Sequence, residues 1–213
     1  MTANELSLIK LLFVICLFFA IVIYFGLRVR KRSMAEALQL KAQDIWAPLQ
    51  TSEWNMANLL YGVLQDFSAT EIGLIVRDFR DQQVGKITFH MGVRQGWITL
   101  ETDSGGFEVD VSPTLRQSMV LHPAGDNSQT ICLFKKLPRG AFSFEAKGFG
   151  LLESKAPHRL RIAPWFEYRL NGRPVGGSQH IGGWTDRGSL LVLPGDIPLP
   201  IRLFILAMQR QRA

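Results

Sequence analysis

Residues 11–27 read LLFVICLFFAIVIYFGL, seventeen positions without a charge, and the basic cluster RVRKR follows at once. Extending back through Leu8 and Ile9 gives twenty positions interrupted only by Lys10. The long stem of a lysine there can carry its ammonium to the interface. At ~1.5 Å of rise per residue, twenty helical residues cover the ~30 Å hydrocarbon core of a bilayer. The run therefore predicts a transmembrane helix over residues 8–27, with a short tail over 1–7 and a basic flank over 28–32. Whatever else the chain folds into must be compatible with that anchor.

The flanks decide what kind of segment this is and which way it points. A cleaved signal peptide carries positive charge before the apolar run and a small-residue cleavage site after it. Here the leading stretch MTANELS holds Glu5 and no basic residue, whereas Arg28, Arg30, Lys31 and Arg32 lie just past the run. That order predicts an uncleaved anchor. The side richer in Lys and Arg stays cytoplasmic. Residues 33–213 are thus expected in the cytoplasm and the N-terminus outside, in a single-pass protein of the plasma or inner membrane. The same four residues would attract anionic headgroups, at about 1 kcal/mol each near the surface, but orientation already accounts for them.

Charge and cysteine content exclude other classes. The formal net charge is +6. With the basic residues at 10, 28, 30, 31 and 32 set aside, residues 33–213 hold 19 Lys and Arg against 17 Asp and Glu. Such a balance is ordinary, and no nucleic-acid partner is expected from it. Cys16 lies in the apolar run and Cys132, within TICLF, is the only other cysteine. Neither a disulfide framework nor a thiolate metal site can be built from that pair, and Cys132 reads as a small buried hydrophobe.

Beyond the anchor, residues 33–47 place Met34, Leu38, Ala42 and Ile45 on one helical face and end before Pro48, which predicts a helical spacer. Residues 49–70 suit a helix from about Ser52, although Gly62 and a short apolar run also permit a strand. Helix is the preferred reading, so residues 33–70 are expected to form a juxtamembrane helical linker. From residue 71 the pattern changes. Seventeen of the nineteen glycines lie at or beyond position 73 and nine of the ten prolines beyond 110, punctuating short runs of period two. Such runs occur at 73–78, 84–90, 97–102, 107–111, 118–121, 130–134, 141–146, 149–153, 159–162, 165–170, 175–181 and 189–193. Asp103-Ser104-Gly105-Gly106 and Asn171-Gly172 supply tight turns. About a dozen short strands predict an all-β barrel or sandwich over residues 71–213.

The chain ends unlike a strand. After the breaker-rich stretch 194–200, Ile201, Leu203, Phe204, Ile205, Leu206 and Met208 occupy nearly every side of a helix whose only charge before its end is Arg202. A helix apolar all round must be buried all round. At eight residues, about 12 Å, it is too short to cross a membrane. A closed antiparallel barrel wrapped around this helix is the economical solution.

Three stretches resemble the tubby-like superfamily, which includes the phospholipid scramblases and LURP-one-related proteins. Val76-Arg77-Asp78 through Gln83, Val84 and Gly85 to Phe89 is similar to its strand, turn, Val-Gly, strand unit. Tyr168-Arg169-Leu170-Asn171-Gly172-Arg173-Pro174-Val175-Gly176 repeats that unit. LVLPGDIPLPIRLFILAM, residues 191–208, is similar to the last strand and core helix of the family. The resemblance covers roughly residues 60–210. It implies a tubby-like barrel around a core helix formed by Leu203, Phe204, Ile205 and Leu206, and a tendency to bind membrane lipid or a partner. The sequence departs from the animal scramblases in lacking an Asp-rich calcium-binding run, a cysteine-rich palmitoylation cluster and a Pro-rich N-terminal segment.

Catalytic patterns do not emerge. His90, His122, His158 and His180 are dispersed without metal-ligand spacing. No G-x-S-x-G elbow occurs, Gly176-Gly177 and Gly182-Gly183 lead into no phosphate-binding helix, and no carboxylate pair offers itself as acid and base. No catalytic residue, metal or cofactor is assigned. Trp165, Trp184 and Tyr168 with Arg159, Arg161, Arg169, Arg173 and Arg187 form the most basic, aromatic stretch. The arginines are candidate headgroup contacts on a domain the tether holds near a membrane. The expectation is a non-enzymatic anchored barrel that binds lipid headgroups or a membrane protein. The alternatives are an accessory subunit of a membrane complex and an enzyme with an unrecognised site.

Overall fold

The computed structural model describes residues 3–46, 55–68, 70–91, 97–111, 118–138, 141–146, 148–155, 165–181 and 188–210. Helix α1 spans Ala3–Leu38 and helix α2 Ala42–Trp46. Twelve strands follow: β1 Leu59–Phe67, β2 Glu71–Asp78, β3 Gln83–His90, β4 Trp97–Thr102, β5 Gly105–Val111, β6 Ser118–Pro123, β7 Cys132–Lys136, β8 Phe142–Ala146, β9 Gly150–Lys155, β10 Phe166–Leu170, β11 Arg173–Ile181 and β12 Gly188–Val192. Helix α3, Leu199–Arg210, closes the chain. The molecule is mainly β. Each strand pairs antiparallel with its sequence neighbours, and β1 pairs with β12, closing the sheet into a twelve-stranded barrel. Closure removes every free edge, the liability of an open sheet.

Two expectations need correction. Residues 59–67 form strand β1 and not a helix, so the barrel begins within the stretch read as a linker. The apolar residues there serve two opposite faces: Leu60 and Leu64 join the inner cluster, while Leu59, Tyr61 and Val63 join an outer one. A strand buried on both faces gives a near-continuous apolar run, which mimics a buried helix segment. The helix expected over 33–47 is also divided. α1 runs unbroken through the basic flank to Leu38, and a turn at 39–41 separates it from α2. The strand expected over 159–162 lies outside the described residues.

Turn chemistry sets the register. Leu170 pairs with Arg173 across Asn171 (φ 51°) and Gly172 (φ 80°). Two consecutive left-handed residues make the type I′ connection whose twist suits a hairpin. Along the strands, side chains alternate between the lumen and the outer wall.

α3 occupies the lumen. It enters from the end of the barrel where β12 finishes, and Leu203, Phe204, Ile205, Leu206 and Ala207 are wholly buried. Phe204 meets Phe144 of β8 edge-on at 5.9 Å between ring centroids. Leu206 lies against Gly62 of β1 and Leu203 against Gly85 of β3, so the helix touches the wall on several sides. β12 is buried along its whole length because α3 covers one face and the outer cluster of Ala37, Ala42, Ile45 and Tyr61 covers the other.

The stretch Phe13–Leu38 of α1 is long and apolar enough to cross a membrane, with mean hydropathy 2.1, and the window that qualifies it has none of its residues buried.

Candidate functional site

One polar cluster among the described residues joins the tether to the barrel. Asp78, at the end of β2, accepts the N–H groups of Arg80 (2.9 Å) and Gln82 (3.0 Å) and folds the β2–β3 turn. That turn holds Asp81 at φ 62°, a left-handed conformation that aspartate tolerates better than most residues. The Asp81 carboxylate accepts the Tyr61 hydroxyl at 2.6 Å and the Ala42 N–H at 2.7 Å, while Arg77 donates to the Leu38 carbonyl at 3.2 Å. The end of α1, the turn after it and the start of α2 are thereby pinned to β1, β2 and the β2–β3 turn.

The Tyr61 hydroxyl holds the Asp81 carboxyl below the usual carboxylate range, assisted by the Ala42 N–H. Burial and the same carboxylate push Tyr61 above the ordinary range of a phenol. Stability from Asp81 is therefore complete above the unfolded carboxylate pKa and is lost as the pH falls through the lower folded value. Stability from Tyr61 is complete below the unfolded phenol pKa and is lost as the pH rises toward the folded value. Tyr61→Phe removes a bond to a charged acceptor, an expected loss of about 1.5–3 kcal/mol. The detergent-solubilised full chain should melt roughly 3–12 °C lower at that cost. Proteolysis within residues 39–46 should accelerate, and an unchanged cleavage rate there would show that the latch holds nothing.

A second polar chain lies on the outer wall. Glu71 Oε1 is 3.1 Å from His90 Nδ1, and His90 Nε2 is 3.1 Å from Thr99 Oγ1. The ring of His90 stacks on Trp97 at 4.6 Å. Because a carboxylate only accepts, neutral His90 carries its proton on Nδ1 and Nε2 accepts from Thr99. The order carboxylate, imidazole, hydroxyl is that of an activated nucleophile. Thr99, however, is mid-strand, paired with Thr88 on one side and Glu108 on the other, so the backbone N–H groups around it belong to the ladder and cannot cradle an oxyanion. The chain is a cross-strand polar ladder.

The remaining candidates are structural. His122 is buried, with Nδ1 3.0 Å from the Pro123 carbonyl and Nε2 3.2 Å from Asp110 Oδ2 without hydrogen-bond alignment. The Cys132 thiol is buried and pushed up to about 12, which keeps it protonated and unreactive. No group of three or more His, Cys, Asp or Glu that could hold a metal ion occurs among the described residues. Gly176 and Gly177 sit within β11, where added Cβ atoms would run into the Val192 carbonyl and the Trp165 ring. They are close-packing positions.

The residues singled out from sequence fall in different places. Arg28, Lys31 and Arg32 are exposed on α1, and Arg32 bonds Glu36 one turn on at 3.1 Å. Arg30 is helical, but its side chain lies outside the described residues, as do Arg159, Arg161 and Arg187 entirely. Arg169 is paired with Glu167 at 2.7 Å, and Arg173 is exposed beside the Asn171-Gly172 turn. Of the five candidate headgroup contacts, the described residues thus include one paired arginine and one exposed one. The Asp81 latch was invisible in sequence, because nothing in FRDQQ tells an aspartate that shapes its own turn from one that reaches back to another element. Comparison of the chain with protein-family models, with curated proteins and with solved structures finds no match.

Proposed function

We propose that the chain is a single-pass, non-enzymatic, tubby-like membrane protein whose cytoplasmic barrel binds lipid headgroups or a membrane protein partner through its outside. One observation carries the reading. The lumen, which in an open barrel would receive a ligand, is filled by α3, while the apolar residues of α1 from Phe13 to Val29 are exposed. A barrel with its own plug recognises partners with its rims and outer wall, and an apolar helix with no protein cover needs lipid.

The tubby-like part of the proposal is supported by the two sequence units. Both form hairpins with the same irregularity: the register shifts between Val76 and Arg77 opposite Gly85 and Gln83, and between Tyr168 and Arg169 opposite Gly176 and Pro174. In each, the Val before the Gly is the extra residue of a bulge and the Gly faces the lumen beside α3 or the strand that borders it.

The full chain should remain with the membrane after alkaline carbonate extraction, and a reporter fused after Ala213 should behave as cytoplasmic. Exchanging Arg28, Arg30, Lys31 and Arg32 for Ser should scramble that orientation. Release by carbonate would overturn the span. Labelling of an introduced C-terminal cysteine by an impermeant reagent in intact cells would overturn the orientation.

A further inference from the structure

Leu121 of β6 belongs to the inner cluster, so its neighbour His122 stands on the outer side of the wall, yet the histidine is only 2% exposed. Val109 of β5 likewise belongs to the inner cluster, which puts Glu108 and Asp110 on the same outer side as His122. Glu108 pairs directly with His122 across the ladder, and Asp110 is the diagonal neighbour. Neither strand contains a Lys or Arg. One imidazole and two carboxylates share that side of the two strands.

The tautomer of His122 follows from its other contact. Nδ1 lies 3.0 Å from the Pro123 carbonyl, which can only accept, so Nδ1 carries the proton. Neutral His122 then turns the lone pair of Nε2 toward Asp110 Oδ2, 3.2 Å away. Two acceptors at that separation repel unless positive charge lies at the contact. A second proton would make an ion pair, but Nε2 is not aligned with the carboxylate and has no hydrogen-bond partner. A metal ion meets the geometry better. With bonds of about 2.0–2.2 Å to nitrogen and oxygen, two neighbouring ligand atoms stand about 3.0–3.4 Å apart, and the ion lies off the line between them. The separation and the misalignment both follow. An imidazole that donates its far N–H to a backbone carbonyl is also the arrangement that orients metal-binding histidines.

We propose that His122 Nε2 and Asp110 Oδ2 bind a divalent first-row metal ion of the Zn²⁺ class, which staples β5 to β6 on the outer wall. Imidazole and carboxylate together suit such ions, whereas Mg²⁺ prefers oxygen ligands alone. The Asp110 side chain is 59% exposed, so the ion has a path in from solvent, and water completes its coordination on that side. Glu108, opposite His122, adds negative charge beside the pair. In the strand order β5 and β6 lie far from the β1–β12 seam, against which Ala37 of α1 and Ala42 and Ile45 of α2 pack. The tether therefore leaves the site open.

The full chain in detergent, stripped by a chelator and returned to metal-free buffer, tests this with Zn²⁺ alone. Calorimetry should detect binding to the parental chain. Zn²⁺ at about a hundredfold excess over its dissociation constant should raise the melting temperature by roughly 5–11 °C. Mg²⁺ at the same concentration should leave melting unchanged. Asp110→Asn keeps the side-chain shape at an exposed position and should weaken Zn²⁺ binding about tenfold or more, as should His122→Gln. Asp103→Asn, in the exposed turn between β4 and β5, is the control and should bind as the parental chain does. Equal Zn²⁺ affinity in the parental chain and Asp110→Asn would place the ion elsewhere and overturn the proposal. So would a melting temperature of Asp110→Asn that falls by the same amount with and without Zn²⁺, which is the mark of an ordinary ion pair.

Discussion

A chain ended after Pro200 should fail to fold, because what it loses is the filling of the barrel. Without α3, the inward residues Leu74, Val76, Ile87, Leu100, Phe144 and Leu191, all now wholly buried, would line a water-filled lumen. Single substitutions grade the same effect. Phe204→Ala removes a ring that is wholly buried against Phe144, an expected cost of about 3–5 kcal/mol. For a chain of this size that lowers the melting temperature by roughly 6–20 °C. Phe204→Asp should leave no cooperative transition at all, since an unpaired carboxylate at that position has only apolar neighbours to meet. Tryptophan fluorescence during thermal unfolding of the full chain in detergent reads all three. A truncated chain that stayed soluble and melted at the parental temperature would show that the helix is dispensable to the barrel.

How much of this was legible in the sequence depends on whether an element's signal was local. Asn171-Gly172 encodes its own turn through two residues that accept left-handed backbone, and the hairpin around it was readable for that reason. The terminal helix was readable because an apolar circumference on a short segment leaves one destination. β1 was misread as helix because its apolar residues are shared between the lumen and the outer cluster, a pattern set by what packs on either side and not by the strand itself. The break between α1 and α2 was hidden for a similar reason. Helical periodicity continues through residues 33–47, but the barrel offers Asp81, Arg77 and Tyr61 as better partners for the backbone at 38–42. Which strand seals the barrel was not legible, because β1 and β12 lie far apart in the sequence and only the strand order brings them together.

The same order makes one small position expensive. Gly176 lies opposite Tyr168 of β10 and just before Gly177, which pairs with Val192 of β12, the strand that closes the barrel against β1. A Cβ there would run into the Val192 carbonyl and approach Leu193 Cδ2 to 2.9 Å. Its counterpart in the other hairpin, Gly85, would meet the Glu101 carbonyl at 2.7 Å and Leu203 Cδ1 at 2.8 Å. The obstacles are alike in kind, a backbone carbonyl and a leucine tip, and differ in depth. The overlap with the carbonyl is far deeper at Gly176, where Val192 belongs to a strand held by ladders on both sides. Overpacking costs typically about 1–3 kcal/mol, and the upper part of that range applies where backbone must move. Gly176→Ala should therefore lower the melting temperature of the full chain by roughly 6–12 °C. Gly106→Ala is the control, because its Cβ would find only Ala124 Cβ at 3.4 Å and should shift melting by no more than about 2 °C. If the two alanine variants melted together, β12 would not be the rigid closing strand that the register describes. If Gly176→Ala alone fell, the Val-Gly unit would be explained by its chemistry: the valine is the extra residue that bends the hairpin, and the glycine admits the strand that seals the barrel around its helix.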